Sequence, residues 1–356
     1  MKQKQHNILF VAQNPGGFNA IFPLIQSVSL SQRHVVFALF AEEACLFAGK
    51  HKVEYVDASE DSLVVVHDFF EQHDINVVVT GTSMGMSLEK YCIQEANMRG
   101  IHSVSIVDFW SNYAMRFSTP KTTDLKYLSN SVCAVDIEMK MEMIAEGIPE
   151  DIIQVTGNPF FDGFGDRVIE NKEEEYILFV SQPFSEVFHA KDESITAPVF
   201  DEVQVLKDII EVCTELNVIV PIHVGLHPRA KDKEKFREVI ESSTIDIQII
   251  DTPTQESLYQ AKFVIGMNSM ILFQAALMGI PVISYQPNVT SSENVLPSNR
   301  FGLSKGIYTK IDLKEIVGKY IKNEKRYIEN IEEIRKKYTQ NNATRNILAL
   351  INNILI

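Results

Sequence analysis

The stretch from Phe263 to Tyr285 contains residue types whose order and spacing could hold an anionic ligand. An apolar run ends at Gly266, where the missing Cβ permits a sharp turn or the close approach of a ligand. Asn268 and Ser269 follow, and both residue types favour the N-cap of a helix. The exposed N–H groups of that helix start, together with the helix dipole, form an anion site. The sequence therefore predicts an anion site here, with Gln274 about one and a half helical turns further on.

Two series of apolar runs, separated by helical stretches, surround this segment. The first series contains residues 8–12, 34–40, 75–80, 103–107 and 131–135, and the second contains 176–180, 218–224, 245–250, 263–266 and 282–285. Continuous apolar runs with helices between them are typical of parallel sheets covered on both faces. We therefore predict an α/β chain with two Rossmann-like, doubly wound parallel-sheet domains that face each other across a cleft.

The composition sets limits on the class of protein. A length of 356 residues favours two domains, and the formal net charge of −14 argues against a general nucleic-acid-binding surface. The four cysteines are widely spaced and include no CxxC pair, so neither a disulfide framework nor a zinc site is expected. No apolar run is long enough for a signal peptide or a membrane span, and a cytoplasmic location is expected.

The order of four landmarks resembles the GT-B glycosyltransferase superfamily. Gly157-Asn158-Pro159 is similar to the segment that ends the N-terminal domain in lipid-A-disaccharide synthase-like and UDP-GlcNAc 2-epimerase-like members. Residues 177–183 resemble the first strand and loop of the C-terminal domain, and His227-Pro228-Arg229 resembles a His-Pro motif that sialyl- and Kdo-type transferases also carry. The Phe263–Tyr285 stretch resembles the nucleotide-sugar-binding βα element. The resemblance spans nearly the whole chain and implies GT-B architecture.

The resemblance also implies domain boundaries and a division of labour between the domains. It places an N-terminal, acceptor-side domain at residues 1–170 and a nucleotide-sugar-binding domain at residues 176–338. A terminal helix, within residues 339–356, would cross back to the N-terminal domain. The charged segment 168–175 is the predicted linker, and one long helix is expected over residues 324–355, after a polar loop at residues 287–304.

The candidate donor site lies in the second domain. Besides Gly266, Asn268, Ser269 and Gln274, it includes His227 and Arg229, because an arginine offers a forked set of donors to phosphate or base. The alternative for these two residues is a plain turn. Ser181 and Gln182 are also candidates, although an ordinary loop is equally expected. Gln274 stands where many GT-B members carry a ribose-binding Glu, and the donor could be a UDP- or a CMP-sugar.

The candidate acceptor site lies in the first domain, at the ends of its strands. Asn14, Gly16 and Gly17 belong to a predicted glycine-rich loop whose N–H groups could approach a diphosphate or sugar, or which could be a tight turn. Thr82 and Ser83 follow another strand. Trp110 and Tyr113 could stack on a sugar or pack in the core. Arg116 could bind an acidic acceptor or pair with a carboxylate.

Two carboxylates are candidates for the general base that an inverting sugar transfer requires. Asp108 is the first choice because it follows a strand, and a base must come within hydrogen-bond reach of the acceptor hydroxyl. Glu89 is the second choice, although it is expected on a solvated helix face. No DxD-type motif is present, so neither a metal ion nor another cofactor is expected.

The predicted function is therefore metal-independent transfer of a sugar from a UDP- or CMP-linked donor to a glycan, lipid or protein acceptor, in the synthesis of bacterial surface polysaccharides or glycoconjugates. A lipid-linked acceptor would require peripheral contact with a membrane. One alternative is a nucleotide-sugar hydrolase or hydrolysing 2-epimerase, which is disfavoured because the paired Glu residues of those epimerases are not found. The other is a non-catalytic nucleotide-sugar-binding protein.

Overall fold

A computed structural model of the chain describes residues 5–164, 175–183, 200–227, 233–250, 255–289, 296–322, 331–340 and 342–356. The chain divides into two compact units. Unit 1 comprises residues 1–163 and 338–356, and unit 2 comprises residues 164–337. The predicted linker lies largely outside the described residues, since only Glu175 of the segment 168–175 is described.

Unit 1 is built on a parallel sheet of seven strands in the order β3-β2-β1-β4-β5-β6-β7. Its strands are β1 Asn7–Ala12, β2 Val35–Phe40, β3 Val56–Asp57, β4 Val77–Thr80, β5 His102–Ile106, β6 Ser131–Ala134 and β7 Ile153–Val155. Its helices are α1 Pro15–Ser31, α2 Glu42–His51, α3 Ser62–Gln72, α4 Leu88–Arg99, α5 Tyr113–Arg116 and α6 Ile137–Ala145, with short 3-10 turns at Glu150–Ile152 and Pro159–Phe164.

Unit 2 is built on a parallel sheet of six strands in the order β10-β9-β8-β11-β12-β13. Its strands are β8 Tyr176–Val180, β9 Ile222–Gly225, β10 Ile247–Ile250, β11 Ala261–Gly266, β12 Val282–Tyr285 and β13 Lys305–Ile307. Its described helices are α7 Glu202–Glu215, α8 Arg237–Glu241 after a 3-10 turn at Glu234–Phe236, α9 Gln255–Gln260, α10 Met270–Leu277, α11 Pro297–Arg300 and α12 Lys310–Ile321. The predicted α/β class, with two parallel sheets flanked by helices, is confirmed.

The end of the chain differs from the predicted single helix over residues 324–355. Two helices are present, α13 Ile331–Thr339 and α14 Ala343–Ile354. Asn342 has a φ of 52°, so the backbone changes direction between them. The Asp162 carboxylate accepts hydrogen bonds from the N–H groups of Ala343 (2.9 Å) and Thr344 (2.8 Å), which caps α14 from outside the helix. The predicted polar loop 287–304 contains the short helix α11.

Alternate residues of β1 pack into two different hydrophobic clusters, because successive side chains of a strand point to opposite faces of the sheet. Ile8 and Phe10 pack into a cluster that includes Ile347 and Ile351 of α14. Leu9 and Val11 pack into a cluster on the opposite face, formed largely by residues of α3 and α4. The sheet of unit 1 is therefore covered on both faces, which explains the uninterrupted apolar run of its first strand. Across the described residues, no helix is long and apolar enough to cross a membrane.

Two glycines set how closely α1 approaches the end of β4. A Cβ placed on Gly81 would lie 2.4 Å from the Cα of Gly17, which is a main-chain atom that cannot rotate away. Gly81→Ala should therefore lower the free energy of unfolding by about 1–3 kcal/mol, as overpacking does. The measurement is urea denaturation followed by circular dichroism.

Gly49→Ala is the matched control, because Gly49 lies exposed in α2 and a Cβ there would meet no atom within 4 Å. This control should leave stability unchanged or raise it by up to about 1 kcal/mol, the helix preference for Ala over Gly. Equal unfolding midpoints for Gly81→Ala and the wild type would refute the close backbone contact.

Candidate functional site

In unit 1, strands β1 and β4 are neighbours, but the chain continues from them toward opposite edges of the sheet. Such a topological switch point, at the carboxyl ends of the strands, is where open α/β sheets bind ligands. Gln13 and Asn14 follow β1, whereas Thr82 and Ser83 lie just after β4. The fold thus brings Asn14, Thr82 and Ser83, predicted from separate motifs, to one place in unit 1.

A chain of hydrogen bonds connects these two strand ends. The side-chain amide of Asn14 donates to Ser83 Oγ (2.8 Å), and the Ser83 hydroxyl donates to Glu89 Oε1 (2.8 Å). The same Glu89 oxygen accepts a hydrogen bond from the main-chain N–H of Gln13 (3.0 Å). The side chain of Gln13 in turn accepts one from the N–H of Leu88, the first residue of α4 (2.9 Å). The segment after β1 and the start of α4 therefore each donate a main-chain N–H to a side chain of the other.

The structure corrects the expected position of Glu89. Its side chain is buried rather than on a solvated helix face, because the first turn of α4 packs beneath β1. Burial raises the pKa of this carboxyl group, since desolvation disfavours the charged form. A group that is closed off in this way is not in a position to meet an acceptor hydroxyl.

The predicted glycine-rich loop is also corrected. Helix α1 begins at Pro15, directly after Asn14, so Gly16 and Gly17 lie in its first turn. Proline is favoured at the first helical position because its missing N–H would be unpaired there anyway. These glycines therefore allow close contacts rather than forming a loop.

Asp108 lies against the start of α1 and is held by an arginine. A Cβ on Gly16 would lie only 2.0 Å from Asp108 Oδ2, so the carboxylate touches the helix backbone where glycine leaves space. Arg116 Nη1 donates to Asp108 Oδ1 (3.1 Å) and to Thr82 Oγ1 (3.0 Å). The Asp108 side chain is 19% exposed, whereas that of Arg116 is only 9% exposed. The arrangement is a fixed, accessible carboxylate, and pairing with a carboxylate was one of the two alternatives for Arg116.

Trp110 and Tyr113 lie in the core of unit 1. The Trp110 ring is 3% exposed and donates from Nε1 to Asp136 (3.0 Å). Tyr113 is 1% exposed, and its hydroxyl donates to Glu142 (2.6 Å). Of the two alternatives that the sequence left open, core packing describes both rings.

Unit 2 has a corresponding switch point between β8 and β11. Ser181 and Gln182 follow β8, and Asn268 lies just after β11. The Gln182 side chain bridges the two strand ends, since its Oε1 accepts from the N–H of Asn268 (2.8 Å) and its Nε2 donates to the Asn268 carbonyl (3.1 Å). This amide therefore fixes the main chain immediately before α10.

The start of α10 has the features of the predicted anion site. Ser269 is the N-cap, and its hydroxyl accepts from the N–H of Ile271 (3.3 Å). Gly266 lies where a Cβ would be 3.0 Å from the Leu272 side chain and 3.3 Å from the Val180 carbonyl. Two buried polar atoms at this strand end, Ser181 Oγ and Asn268 Oδ1, have no hydrogen-bond partner within the described part of the chain. Unpaired buried polar atoms are unfavourable, and a polar ligand would satisfy them.

The remaining residues that were predicted to bind the donor substrate are close to the start of α10 in the sequence or in the order of the strands. Gln274 is half-buried in the second turn of α10. His227 follows β9, the neighbour of β8, and is also half-buried. Arg229 lies outside the described residues.

Two residues that were not predicted from the sequence support this segment. Ser284 Oγ donates to the Met267 carbonyl (2.7 Å), and Gln286 Nε2 donates to the same oxygen (3.0 Å). Gln286 could have been predicted from the sequence, because it directly follows β12 and so lies at the same carboxyl end of the parallel strands. Across the described residues, no group of three His, Cys, Asp or Glu side chains could hold a metal ion.

Comparison with solved structures shows which fold this is. The structure is similar to that of UDP-GlcNAc 2-epimerase from Neisseria meningitidis bound to UDP-GlcNAc (TM-score 0.70, 14% identity, 97% of this chain and 99% of that chain). It is also similar to the glycotransferase of kitacinnamycin (0.66, 14%, 99% and 100%). A third similar structure is Anabaena Alr3699/HepE in complex with UDP-glucose (0.61, 11%, 98% and 99%). These similarities confirm the predicted GT-B fold.

Sequence comparison gives the family. No curated protein matches the sequence. The model of the family described as "Protein of unknown function (DUF354)" matches residues 171–355. Because this match covers more than half of the 356 residues, the chain belongs to the DUF354 family.

Proposed function

We propose that this protein is a metal-independent glycosyltransferase that uses a nucleotide-sugar donor. The observation that carries the proposal is the switch point of unit 2, where a capped helix start adjoins two buried polar atoms without partners in the described chain, Ser181 Oγ and Asn268 Oδ1. A nucleotide-sugar matches such a place, because its phosphates accept hydrogen bonds from helix N–H groups and from the Ser181 hydroxyl, and one of its ribose or sugar hydroxyls can donate to Asn268 Oδ1. The similar structures with UDP-GlcNAc and UDP-glucose bound support a nucleotide-sugar as the ligand.

In this proposal the donor is held by the start of α10. The phosphate oxygens accept hydrogen bonds from the first N–H groups of α10 and from Ser181 and Ser269. Gln274 contacts the ribose as a neutral amide, which can donate one hydrogen bond and accept another. His227 and Arg229 contact the phosphates or the base.

Unit 1 supplies the acceptor side, and Asp108 is its general base. Asp108 takes the proton of the acceptor hydroxyl as that oxygen forms a bond to the anomeric carbon of the sugar. The bond between that carbon and the phosphate oxygen breaks, and the nucleotide leaves with the electron pair. Arg116 holds the carboxylate in one orientation (3.1 Å), and this preorganisation supports the assignment.

A nucleotide-sugar hydrolase or 2-epimerase is the second candidate, because a UDP-GlcNAc 2-epimerase is among the similar structures. A third is a non-catalytic nucleotide-sugar-binding protein. The acceptor in the first case would be a glycan, a lipid or a protein of a bacterial surface glycoconjugate pathway, and the protein would act in the cytoplasm.

A panel of UDP-, CMP-, GDP- and dTDP-sugars separates these candidates. We expect a UDP- or CMP-sugar to raise the melting temperature by a few degrees, since a ligand that binds only the folded state at about 100 times its Kd adds about 2.7 kcal/mol. Nucleotide release that requires an added acceptor supports transfer, and release without one supports hydrolysis. No shift with any donor would contradict both catalytic candidates and the binding protein.

Removing the bridging amide should weaken donor binding. Gln182→Ala leaves the N–H and the carbonyl of Asn268 without their side-chain partner, and we expect the donor Kd to rise at least about tenfold, which corresponds to 1.4 kcal/mol. Isothermal titration calorimetry measures this change. Gln248→Ala, on an exposed side chain of β10, is the matched control and should bind as the wild type does. Equal donor affinity in the wild type, Gln182→Ala and Gln248→Ala would show that the donor does not bind beside Gln182.

The base assignment is tested by Asp108→Asn. We expect kcat for transfer to fall by about 10²–10⁴, the usual contribution of a general base, with the donor Kd unchanged. Steady-state kinetics and calorimetry provide the two quantities. Asp74→Asn, on an exposed residue near the start of β4 and thus at the opposite edge of the sheet, should leave both unchanged. An Asp108→Asn enzyme with wild-type kcat would refute the assignment.

A further inference from the structure

Glu89 is a buried carboxyl group that the proposed mechanism does not use. It is 1% exposed, and a Cβ on Gly17 would lie 3.6 Å from its Oε1, so it lies directly beneath the first turn of α1. No Lys or Arg of the described chain forms an ion pair with it. Its neighbour Lys90 donates instead to the main-chain carbonyls of Gly85, Met115 and Ser118.

One oxygen of this carboxyl group makes both of its hydrogen bonds to the switch point of unit 1. Oε1 accepts from the N–H of Gln13 (3.0 Å) and from the Ser83 hydroxyl (2.8 Å). The other oxygen, Oε2, has no hydrogen-bond partner within the described residues. The group therefore acts here as an acceptor, and both contacts need an oxygen rather than a negative charge.

Burial favours the neutral form of Glu89, since desolvation raises the pKa of its carboxyl group. Transfer of an unpaired carboxylate from water into a protein interior is strongly unfavourable, and such groups take up a proton instead. A protonated carboxyl group retains a carbonyl oxygen that can accept both hydrogen bonds. A carboxyl group enclosed in this way does not meet an acceptor hydroxyl, which leaves Asp108 as the base.

The contacts of Glu89 extend to the proposed catalytic carboxylate through the segment after β4. Ser83, held by Glu89, is adjacent to Thr82, whose hydroxyl accepts a hydrogen bond from Arg116 (3.0 Å). Arg116 in turn holds Asp108 (3.1 Å). Loss of the Glu89 acceptor would leave the Ser83 hydroxyl bonded to Asn14 alone, and would thereby loosen the neighbouring Thr82 that helps to orient Arg116.

We propose that Glu89 is a positioning residue that fastens the ends of β1 and β4 and thereby fixes the Thr82–Arg116–Asp108 arrangement on the acceptor side. The inference rests on the proposed function, since it assigns Glu89 a role in that reaction. It replaces the role of alternative base with that of a neutral hydrogen-bond acceptor. Glutamine, which keeps the acceptor oxygen without the charge, should therefore substitute for Glu89, and alanine should not.

The test compares Glu89→Gln and Glu89→Ala with a matched control, Glu95→Ala. Glu95 also lies on α4 and is buried, but its carboxylate pairs with Arg99 near the end of that helix. Hydrogen–deuterium exchange resolved at the amide of Gln13 is the first readout. We expect exchange at least about tenfold faster in Glu89→Ala, because a buried N–H loses its partner, and near-wild-type exchange in Glu89→Gln and Glu95→Ala.

Transfer kinetics are the second readout. We expect kcat to fall at least about tenfold in Glu89→Ala and to stay within about threefold of the wild type in Glu89→Gln, with the donor Kd unchanged in both. Equal loss of kcat in Glu89→Gln and Glu89→Ala would show that the charge is needed and would overturn the inference. Unchanged Gln13 exchange in Glu89→Ala would overturn it as well. A wild-type protein that neither binds a donor nor transfers a sugar would instead overturn the proposed function, while the exchange data still decide whether Glu89 fastens the strand ends.

Discussion

In each sheet there is one place where the chain leaves two neighbouring parallel strands toward opposite edges of the sheet. The main-chain groups beyond these strand ends have no partners in the sheet and need other hydrogen-bond partners. Buried N–H and carbonyl groups without partners are strongly unfavourable. In unit 1, Glu89 accepts from the N–H of Gln13, which follows β1. In unit 2, Gln182 accepts from the N–H of Asn268, which lies just after β11. In both units, a side-chain oxygen from the segment that follows one strand thus accepts a hydrogen bond from the main chain that follows the other strand.

This constraint has different consequences in the two units. In unit 1 the hydrogen-bond network and the contact between Gly17 and Gly81 bring α1 close to the end of β4, and the Asp108 carboxylate lies at the start of that helix. In unit 2 the start of α10 is capped by Ser269, and Ser181 and Asn268 keep polar atoms without partners in the described chain. The start of the unit 1 helix therefore faces a carboxylate of the protein itself, whereas the start of α10 is capped by the neutral hydroxyl of Ser269. This difference supports placing the donor phosphates in unit 2 and the base in unit 1.

The sequence was sufficient to predict the features that depend on local pattern. Continuous apolar runs predicted the parallel strands, and Ser269 with Gly266 predicted a capped helix after a tight turn, because strand burial and helix capping are encoded over a few residues. Glu89 could not be placed, since α4 contains apolar and charged residues without a clear period, and its burial depends on how β1 and α1 cover its first turn. The contact between Gln182 and Asn268 joins residues 86 positions apart, and no local pattern encodes it. Gly16 and Gly17 suggested a loop, whereas the preceding Asn14-Pro15 pair was the better indicator of a helix start.

A crystal structure of the protein with UDP or CMP bound would show whether the donor phosphates lie at the start of α10. We expect phosphate oxygens within hydrogen-bond distance of the first N–H groups of α10 and of Ser269, with Ser181 Oγ or Asn268 Oδ1 also in contact with the nucleotide. A nucleotide bound with its phosphates beside Gly16 and Asp108 in unit 1, and none at α10, would contradict this expectation.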